Sequence, residues 1–111
     1  TLSEMKCFGK KIAVLGDMLE LGDAAYNEHK EIIHKAAKSA NIVFIYGKQF
    51  GDVFNHENYF NHENYQKSLH YFNDKSILIS ELKKTILEND IVLVKGSRGM
   101  KLEEIILELK K

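Results

Sequence analysis

A carboxylate directly follows the first strongly apolar stretch of the chain. The stretch Ile12–Leu15 is rich in residues that suit a strand buried on both faces, and Gly16 and Asp17 end it. In open α/β sheets, ligands bind at the carboxyl ends of the strands. Asp17 is therefore a candidate to accept hydrogen bonds from a ribose or to bind a cation. The alternative is a turn residue that caps nearby backbone amides.

A basic turn follows a second apolar stretch late in the chain. Ile91–Val94 leads into Lys95, Gly96, Ser97 and Arg98. An ammonium, a hydroxyl and a guanidinium so close together form a donor set that suits an anion such as a carboxylate. The alternative is a solvated basic turn. If the two strands are parallel neighbours, the acidic and the basic strand ends face one crevice.

The phosphate-binding motifs of nucleotide enzymes are absent from the sequence. No GxGxxG follows the first apolar stretch, and no GxxxxGK[ST] occurs anywhere in the chain. This domain alone is therefore not expected to catalyse phosphoryl transfer. We predict no catalytic residue and no metal ligand within it.

Three further features have side chains that could do chemistry. His29 and His34 are five residues apart in a predicted helix, do not share a face well, and are expected to be surface or packing histidines. The unit NHENY occurs at 55–59 and again at 61–65. Its His and Glu pairs could bind a metal, but a small duplication in a surface loop explains the repeat more simply. Cys7, the one cysteine, is expected to be a small buried or half-buried side chain.

Short apolar runs alternate with amphipathic stretches along the chain. The predicted strands are Ile12–Leu15, Asn41–Gly47, Ser68–Phe72 and Ile91–Val94. The predicted helices are Ala24–Ala40 after a cap at Asp23, Lys48–Phe54, Ser76–Glu88 after a cap at Asn73 or Asp74, and Gly99–Lys110. This order predicts an α/β fold with a Rossmann-like, doubly wound, mostly parallel sheet and helices on both faces. Strands one and four are expected side by side at its centre.

The composition is that of a soluble globular domain. The chain has 111 residues, of which 44% are hydrophobic and 29% are charged, and its length suits a single domain. Lys plus Arg equals Asp plus Glu at 16 each, so no basic field attracts nucleic acid or an anionic membrane. We expect a cytoplasmic protein without either partner. Residues 1–5 read like the end of a helix that stops at Gly9, so we expect a fragment of a longer protein.

Three stretches together resemble one family. VLGDMLELG near the start, NEHKEI in the next helix and IVLVKGSRGMKLEEII near the end are similar to the C-terminal domain of the Mur ligases. Within that family they most resemble the ligases that add D-alanyl-D-alanine to UDP-N-acetylmuramoyl-tripeptide in peptidoglycan synthesis. The resemblance spans about Lys11 to Leu109, and the segment with the duplicated unit looks like a family-variable loop.

The resemblance implies that residues 1–111 are one domain of a three-domain enzyme. In such ligases, ATP and Mg²⁺ convert the peptide carboxylate to an acyl phosphate, and the amine of D-alanyl-D-alanine then displaces phosphate to form the amide. The central domain carries the phosphate-binding loop and the Mg²⁺ ligands. The chain alone is therefore expected to be inactive and to close over a site that the other two domains build.

The resemblance also assigns roles to individual residues. Asp17 matches the acid placed to bind the ATP ribose, and Glu20 is a further candidate polar contact. His29 matches a helix position to which no role is assigned. The turn that faces the dipeptide and the reacting carboxylate is matched by four residues, Lys95, Gly96, Ser97 and Arg98.

Two other classes of protein fit the same pattern of elements. The first is a stand-alone, non-catalytic Rossmann-type module that binds a nucleotide or a peptide. The second is a receiver-like or flavodoxin-like protein. A receiver would have a cluster of acids after the first strand and a phosphoacceptor after the third, and the sequence offers neither convincingly.

Overall fold

Four strands alternate with four α-helices in residues 9–110, the part of the chain that the computed structural model describes. The strands are β1 (Lys11–Gly16), β2 (Ile42–Tyr46), β3 (Leu69–Phe72) and β4 (Ile91–Lys95). The helices are α1 (Ala25–Ser39), α2 (Lys48–His56), α3 (Lys75–Thr85) and α4 (Glu103–Leu109). Three 3-10 turns lie at Gly22–Ala24, Tyr59–Asn61 and Arg98–Met100. The predicted alternation is confirmed, while Cys7 and the predicted helix end at residues 1–5 lie outside the described residues.

All strand pairs are parallel, and the order across the sheet is β3-β2-β1-β4. β1 is paired on both sides, with Val14 level with Phe44 of β2 and with Val94 of β4. The predicted pairing of the first and fourth strands is confirmed. The prediction that both strands lie at the centre of the sheet is wrong for β4, which is the outermost strand on its side among residues 9–110. The connection through α3 carries the chain past β2 and β1, and no later strand in this range pairs with β4.

Helices cover both faces of the sheet, as predicted. Ala13 and Leu15 of β1 pack with residues of α1 and α2, whereas Ile12 and Val14 pack with residues of α3 and α4. From β1 to β2 to β3, each new strand is added on the same side of the sheet, whereas β4 is added on the opposite side of β1. Because such crossovers are right-handed, α1 and α2 lie on one face of the sheet and α3 and α4 lie on the other. A strand covered on both faces needs a continuous apolar sequence, which β1 has.

A bilayer-spanning helix would need more length and more apolar character than any helix of residues 9–110 has.

The two predicted helix caps have different outcomes. Asp74 caps α3 as predicted, because its side chain accepts hydrogen bonds from the amides of Ser76 at 2.7 Å and Ile77 at 3.2 Å. Asp23 does not cap α1. It lies inside the 3-10 turn Gly22–Ala24, and the last residue of that turn occupies the cap position without a side-chain hydrogen bond.

The last helix begins later than predicted. A 3-10 turn occupies Arg98–Met100, and α4 begins at Glu103 instead of at Gly99. Lys101 has a φ of 52°, in the left-handed region, which interrupts a right-handed helix. The basic turn is therefore separate from α4, and the predicted binding of an anion there would depend on the turn's own side chains and amides.

The duplicated NHENY segment is partly built into the core. The first copy continues α2 to His56, and Tyr59 at its end is only 4% exposed. The ring of Tyr65, from the second copy, lies 4.7 Å from that of Tyr59 between centroids, and His34 Nε2 lies 2.9 Å from the Tyr59 hydroxyl. The two copies thus share one aromatic cluster, where the sequence predicted only a surface loop. Residues 9–110 contain no group of three or more His, Cys, Asp or Glu that could hold a metal ion.

Asp90 joins the segments that lead into β1 and β4. Its carboxylate accepts hydrogen bonds from the ammonium and the backbone amide of Lys10, and from the amide of Leu87 at 2.8 Å. The Lys10 ammonium, followed by the Leu87 amide, holds the pKa of the Asp90 carboxyl below its ordinary value. This contact lies at the amino ends of the strands, so it supports the fold away from the ligand-binding edge.

The lowered pKa of Asp90 predicts an acid-sensitive contribution to stability. Such a carboxyl stabilises the fold above its unfolded pKa of about 3.9, and the stabilisation is lost as the pH falls through the lower folded value. We expect Asp90→Asn to flatten the decline in the free energy of unfolding below about pH 5, measured by urea unfolding at a series of pH values. Lys10→Gln removes the main partner and should flatten the decline in the same way. An unchanged decline in both variants would contradict this account.

Candidate functional site

Two loops meet where β1 and β4 end. The β1 loop comprises residues 17–21, the β4 turn comprises residues 95–100 and so includes the last residue of β4, and both lie at the carboxyl ends of neighbouring parallel strands. The strand order reverses here, because β2 and β3 lie on one side of β1 and β4 lies on the other. Such a switch point is where open α/β sheets bind ligands. The structure therefore brings the acidic and the basic strand ends together, as the sequence predicted.

Hydrogen bonds fasten the two loops to each other. Ser97 N–H donates to the Asp17 carbonyl at 3.1 Å, and Leu19 N–H donates to the Ser97 hydroxyl oxygen at 2.7 Å. Asp17 N–H in turn donates to the Tyr46 carbonyl at the end of β2, at 3.1 Å. Ser97 therefore joins the β4 turn to the β1 loop through both its amide and its hydroxyl oxygen. Its hydroxyl hydrogen can still be donated to a ligand, because its oxygen is the acceptor in the bond with Leu19.

The carboxylate of Asp17 caps a helix. Asp17 is 3% exposed, and its two oxygens accept hydrogen bonds from the amides of Gln49 at 2.8 Å and Phe50 at 3.0 Å, both in the first turn of α2. The bonds satisfy two amides that a helix N-terminus otherwise leaves without partners. The structure thus shows the capping role that the sequence left as the alternative, and contact with a ribose stays a prediction.

His29 lies beneath the β1 loop with no exposed surface. Met18 N–H donates to its Nε2 at 3.0 Å, and its Nδ1 lies 2.6 Å from the Ala25 carbonyl oxygen. Because an amide N–H only donates, Nε2 is the acceptor and Nδ1 carries the hydrogen that is donated to Ala25. The ring is edge-on to Phe50, with centroids 4.6 Å apart. The expected surface or packing histidine is a buried one with both nitrogens bonded to backbone.

The remaining predicted residues are on the surface of the site. Lys95, Gly96 and Arg98 are exposed, and so is Glu20, which has a left-handed φ of 65°. The candidates therefore form two groups. Those with internal hydrogen bonds fix the loops, whereas the exposed cations and the exposed carboxylate are available to a ligand.

Two residues that position the β4 turn were not predicted. Leu102 occupies the space beside Gly16 and Gly96, where a Cβ on either glycine would collide with it. Lys75 at the start of α3 donates to the Lys101 carbonyl at 3.2 Å and so holds the end of the turn. The glycines at both strand ends were a signal for a large side chain packed against them. Nothing in the local sequence signals the Lys75 contact, which spans 26 residues.

An open crevice of about 460 Å³ lies beside the β1 loop. Its walls come from the ends of β1, β2 and β3 and from α2, and its polar lining includes Asp17, Lys48, Asp52, Asn55 and Asn73. An ammonium, carboxylates and amides in one crevice suit a polar ligand. Met100 of the β4 turn also lines this crevice.

The parallel sheet, its switch point and the polar loops there define a Rossmann-like ligand-binding domain. Its family is given by comparison with known proteins, because residues 1–98 match the family described as Mur ligase, glutamate ligase domain. The chain belongs to this family. The resemblance found in the sequence is thereby confirmed.

Two relatives similar in sequence to this chain are ligases that share the same name. The UDP-N-acetylmuramoyl-tripeptide–D-alanyl-D-alanine ligase of Bacillus subtilis is 41% identical over 105 residues, which cover 92% of this chain and 22% of the relative. The ligase of the same name from Borreliella burgdorferi is 35% identical over 98 residues, covering 87% of this chain and 20% of the relative. This chain therefore spans about a fifth of the length of these relatives.

Two solved structures contain a region with the same fold as this chain. The crystal structure of MurF ligase from Thermotoga maritima in complex with ADP matches with a TM-score of 0.71 and 22% identity, over 95% of this chain and 22% of that chain. MurF from Acinetobacter baumannii matches with the same TM-score of 0.71 over 93% of this chain and 23% of that chain, also at 22% identity. These likenesses confirm the predicted fold class.

The contact between Gly47 and Asp17 predicts an unequal effect of two glycine substitutions. Gly47 has a φ of 118° and a Cβ there would collide with the Asp17 carboxylate, whereas Gly22 has a φ of 59° and open space around it. Gly22→Ala is expected to cost about 1 kcal/mol of unfolding free energy through backbone strain alone. Gly47→Ala should cost about 1–3 kcal/mol more, because its φ of 118° and ψ of 164° lie in a region essentially restricted to glycine and because the collision disturbs the cap of α2. Equal losses in urea unfolding would show that the close approach is unimportant.

Proposed function

We propose that this chain is the C-terminal domain of an ATP-dependent ligase that adds D-alanyl-D-alanine to UDP-N-acetylmuramoyl-tripeptide in the cytoplasm, in peptidoglycan synthesis. The observation that carries the proposal is the 41% identity over 92% of the chain with the Bacillus subtilis ligase of that name. The site supports it, because the two loops that carry the family resemblance are those that the fold brings together at the switch point. The proposed reaction proceeds through an acyl phosphate of the tripeptide carboxylate.

The β4 turn is the proposed binding site for the dipeptide. The exposed Lys95 and Arg98 offer positive charge, and a planar guanidinium can bind a carboxylate through two parallel hydrogen bonds. The hydroxyl hydrogen of Ser97 adds a donor beside them, and Gly96 lets the turn pack closely against Leu102 and Gly16. Together these groups are suited to the carboxylate of D-alanyl-D-alanine and to the acyl phosphate that its amine attacks.

Asp17 is retained as a proposed contact of the ATP ribose. It lines the open crevice beside the β1 loop, and each carboxylate oxygen can accept a second hydrogen bond besides the one from α2. The exposed charges of the β4 turn are cationic, and residues 9–110 contain no group of three or more His, Cys, Asp or Glu that could hold a metal ion. We therefore assign Mg²⁺ and the UDP-linked substrate to the other two domains.

A closing role follows from this distribution of groups. The domain supplies binding groups on a rigid frame but no phosphate-binding loop of its own. Closure over a site on the other domains excludes water from an acyl phosphate and holds the attacking amine next to it. Binding and exclusion of water are thus the proposed contributions of this chain to catalysis.

The activity of the full-length protein tests the proposal. We expect it to release phosphate only when ATP, UDP-N-acetylmuramoyl-tripeptide and D-alanyl-D-alanine are all present, with amide product confirmed by mass spectrometry. Residues 1–111 alone are expected to release none, because the phosphate-binding loop is absent. A full-length protein that binds nucleotide without forming product would instead favour the non-catalytic binding module.

Arg98 provides a test of where the dipeptide binds. In the full-length enzyme, Arg98→Ala should raise the KM for D-alanyl-D-alanine about 10- to 100-fold, the usual effect of losing a hydrogen bond to a charged group. The KM for ATP should change by less than about twofold. Arg98→Lys keeps the charge and should restore part of the loss, and Lys83→Ala, at an exposed position of α3, is the matched control for losing a surface cation. Equal increases in both KM values would show that the arginine is merely structural.

A further inference from the structure

We infer that His29 is a positioning residue for the proposed ligase site, acting through the Met18 amide on the cavity beside the β4 turn, where the dipeptide is proposed to bind. The inference rests on the proposed function, since it concerns the same site. No charge or exposed surface of His29 is available to a ligand, because it is 0% exposed. Its effect therefore passes through the backbone that it holds.

The hydrogen bonds of His29 need an imidazole with a defined tautomer. Nε2 accepts from Met18 N–H at 3.0 Å, and Nδ1–H donates to Ala25, one turn earlier in α1, at 2.6 Å. The second bond orients the ring and fixes the hydrogen on Nδ1, which leaves Nε2 free of hydrogen as an acceptor. An apolar side chain of similar size would fill the volume but leave the Met18 amide without a partner.

The Met18 bond is the middle one of three consecutive anchors. The amide before it is bonded to β2 through Tyr46, and the amide after it is bonded to the β4 turn through Ser97. Without the central anchor, the peptide plane of Met18 can rotate between two fixed ends. His29 therefore determines the path of the β1 loop between those ends.

Met18 also forms part of the wall next to the exposed cation. Met18 lines an open cavity of about 320 Å³ together with Lys95, Gly96 and Ile106. A shift of Met18 changes the shape of this cavity, which Lys95 also lines. The expected consequence is weaker binding of the dipeptide, with little change in the affinity for ATP.

Glutamine and asparagine form a matched pair of substitutions. In His29→Gln the side-chain oxygen reaches about as far as Nε2 and can accept from Met18. In His29→Asn the shorter amide reaches only the position of Nδ1 and can bond only to Ala25. Both variants keep a polar amide of similar chemistry, so a difference between them reports the Met18 bond.

The test uses the full-length protein and two measurements. Hydrogen exchange of the peptide that contains residues 17–19 should be about tenfold faster in His29→Asn and close to wild type in His29→Gln. The KM for D-alanyl-D-alanine should rise about tenfold in His29→Asn and less than about threefold in His29→Gln, while the KM for ATP stays within about twofold in both. Equal exchange and equal KM values in the two variants would overturn the inference.

A third measurement uses the wild-type protein, so it tests the inference even if a variant fails to fold. With ¹⁵N-labelled histidine in the wild-type protein, the nitrogen shifts of His29 should show hydrogen on Nδ1 and a free acceptor at Nε2. Hydrogen on Nε2 would overturn the inference. If the wild-type protein forms no amide product while exchange at residues 17–19 still depends on Nε2, the proposed function fails and the control of the loop by His29 stands.

Discussion

A carboxylate that is withdrawn from water must find other hydrogen-bond donors, and this requirement shapes the end of the sheet where the loops meet. The donors for Asp17 are the first amides of α2. Meeting the requirement draws α2 against the end of β1 and leaves no room for a side chain at Gly47. The course of the chain from β2 into α2 therefore follows from one buried side chain at the end of β1.

Hydrogen bonds to three neighbouring elements stabilise the loop at the same end of the sheet. The amides of residues 17–19 are bonded in turn to β2, to α1 and to the β4 turn. Leu102 packs against the glycines at the ends of β1 and β4, and Lys75 holds the far end of the turn. Loops anchored in this way keep their shape without a ligand. In the proposed ligase, domain closure then moves a surface that is already formed, and the change in conformation occurs elsewhere.

Much of the fold follows from local sequence, whereas the internal bonds of the site do not. Continuous apolar runs indicated the buried parallel strands, and Asp74 followed by amphipathic spacing indicated a capped helix, because each signal lies within a few residues. The left-handed conformation of Lys101 has no such signal, so the last helix was placed too early. The partners of Asp17 lie 32 and 33 residues away in α2. Only the folded chain shows that its carboxylate and the ring of His29 face backbone amides.

The exposed cations of the β4 turn stand apart from the bonds that hold the turn in place. These bonds come from backbone amides, one hydroxyl, one buried carboxylate, one buried imidazole and the Lys75 ammonium, while Lys95 and Arg98 are exposed at the rim of the site. Mutation can therefore exchange the rim residues with little loss of stability, and natural selection can act on charge and length there almost independently of folding. In the proposed ligase, the groups that meet the substrate can therefore change one surface residue at a time.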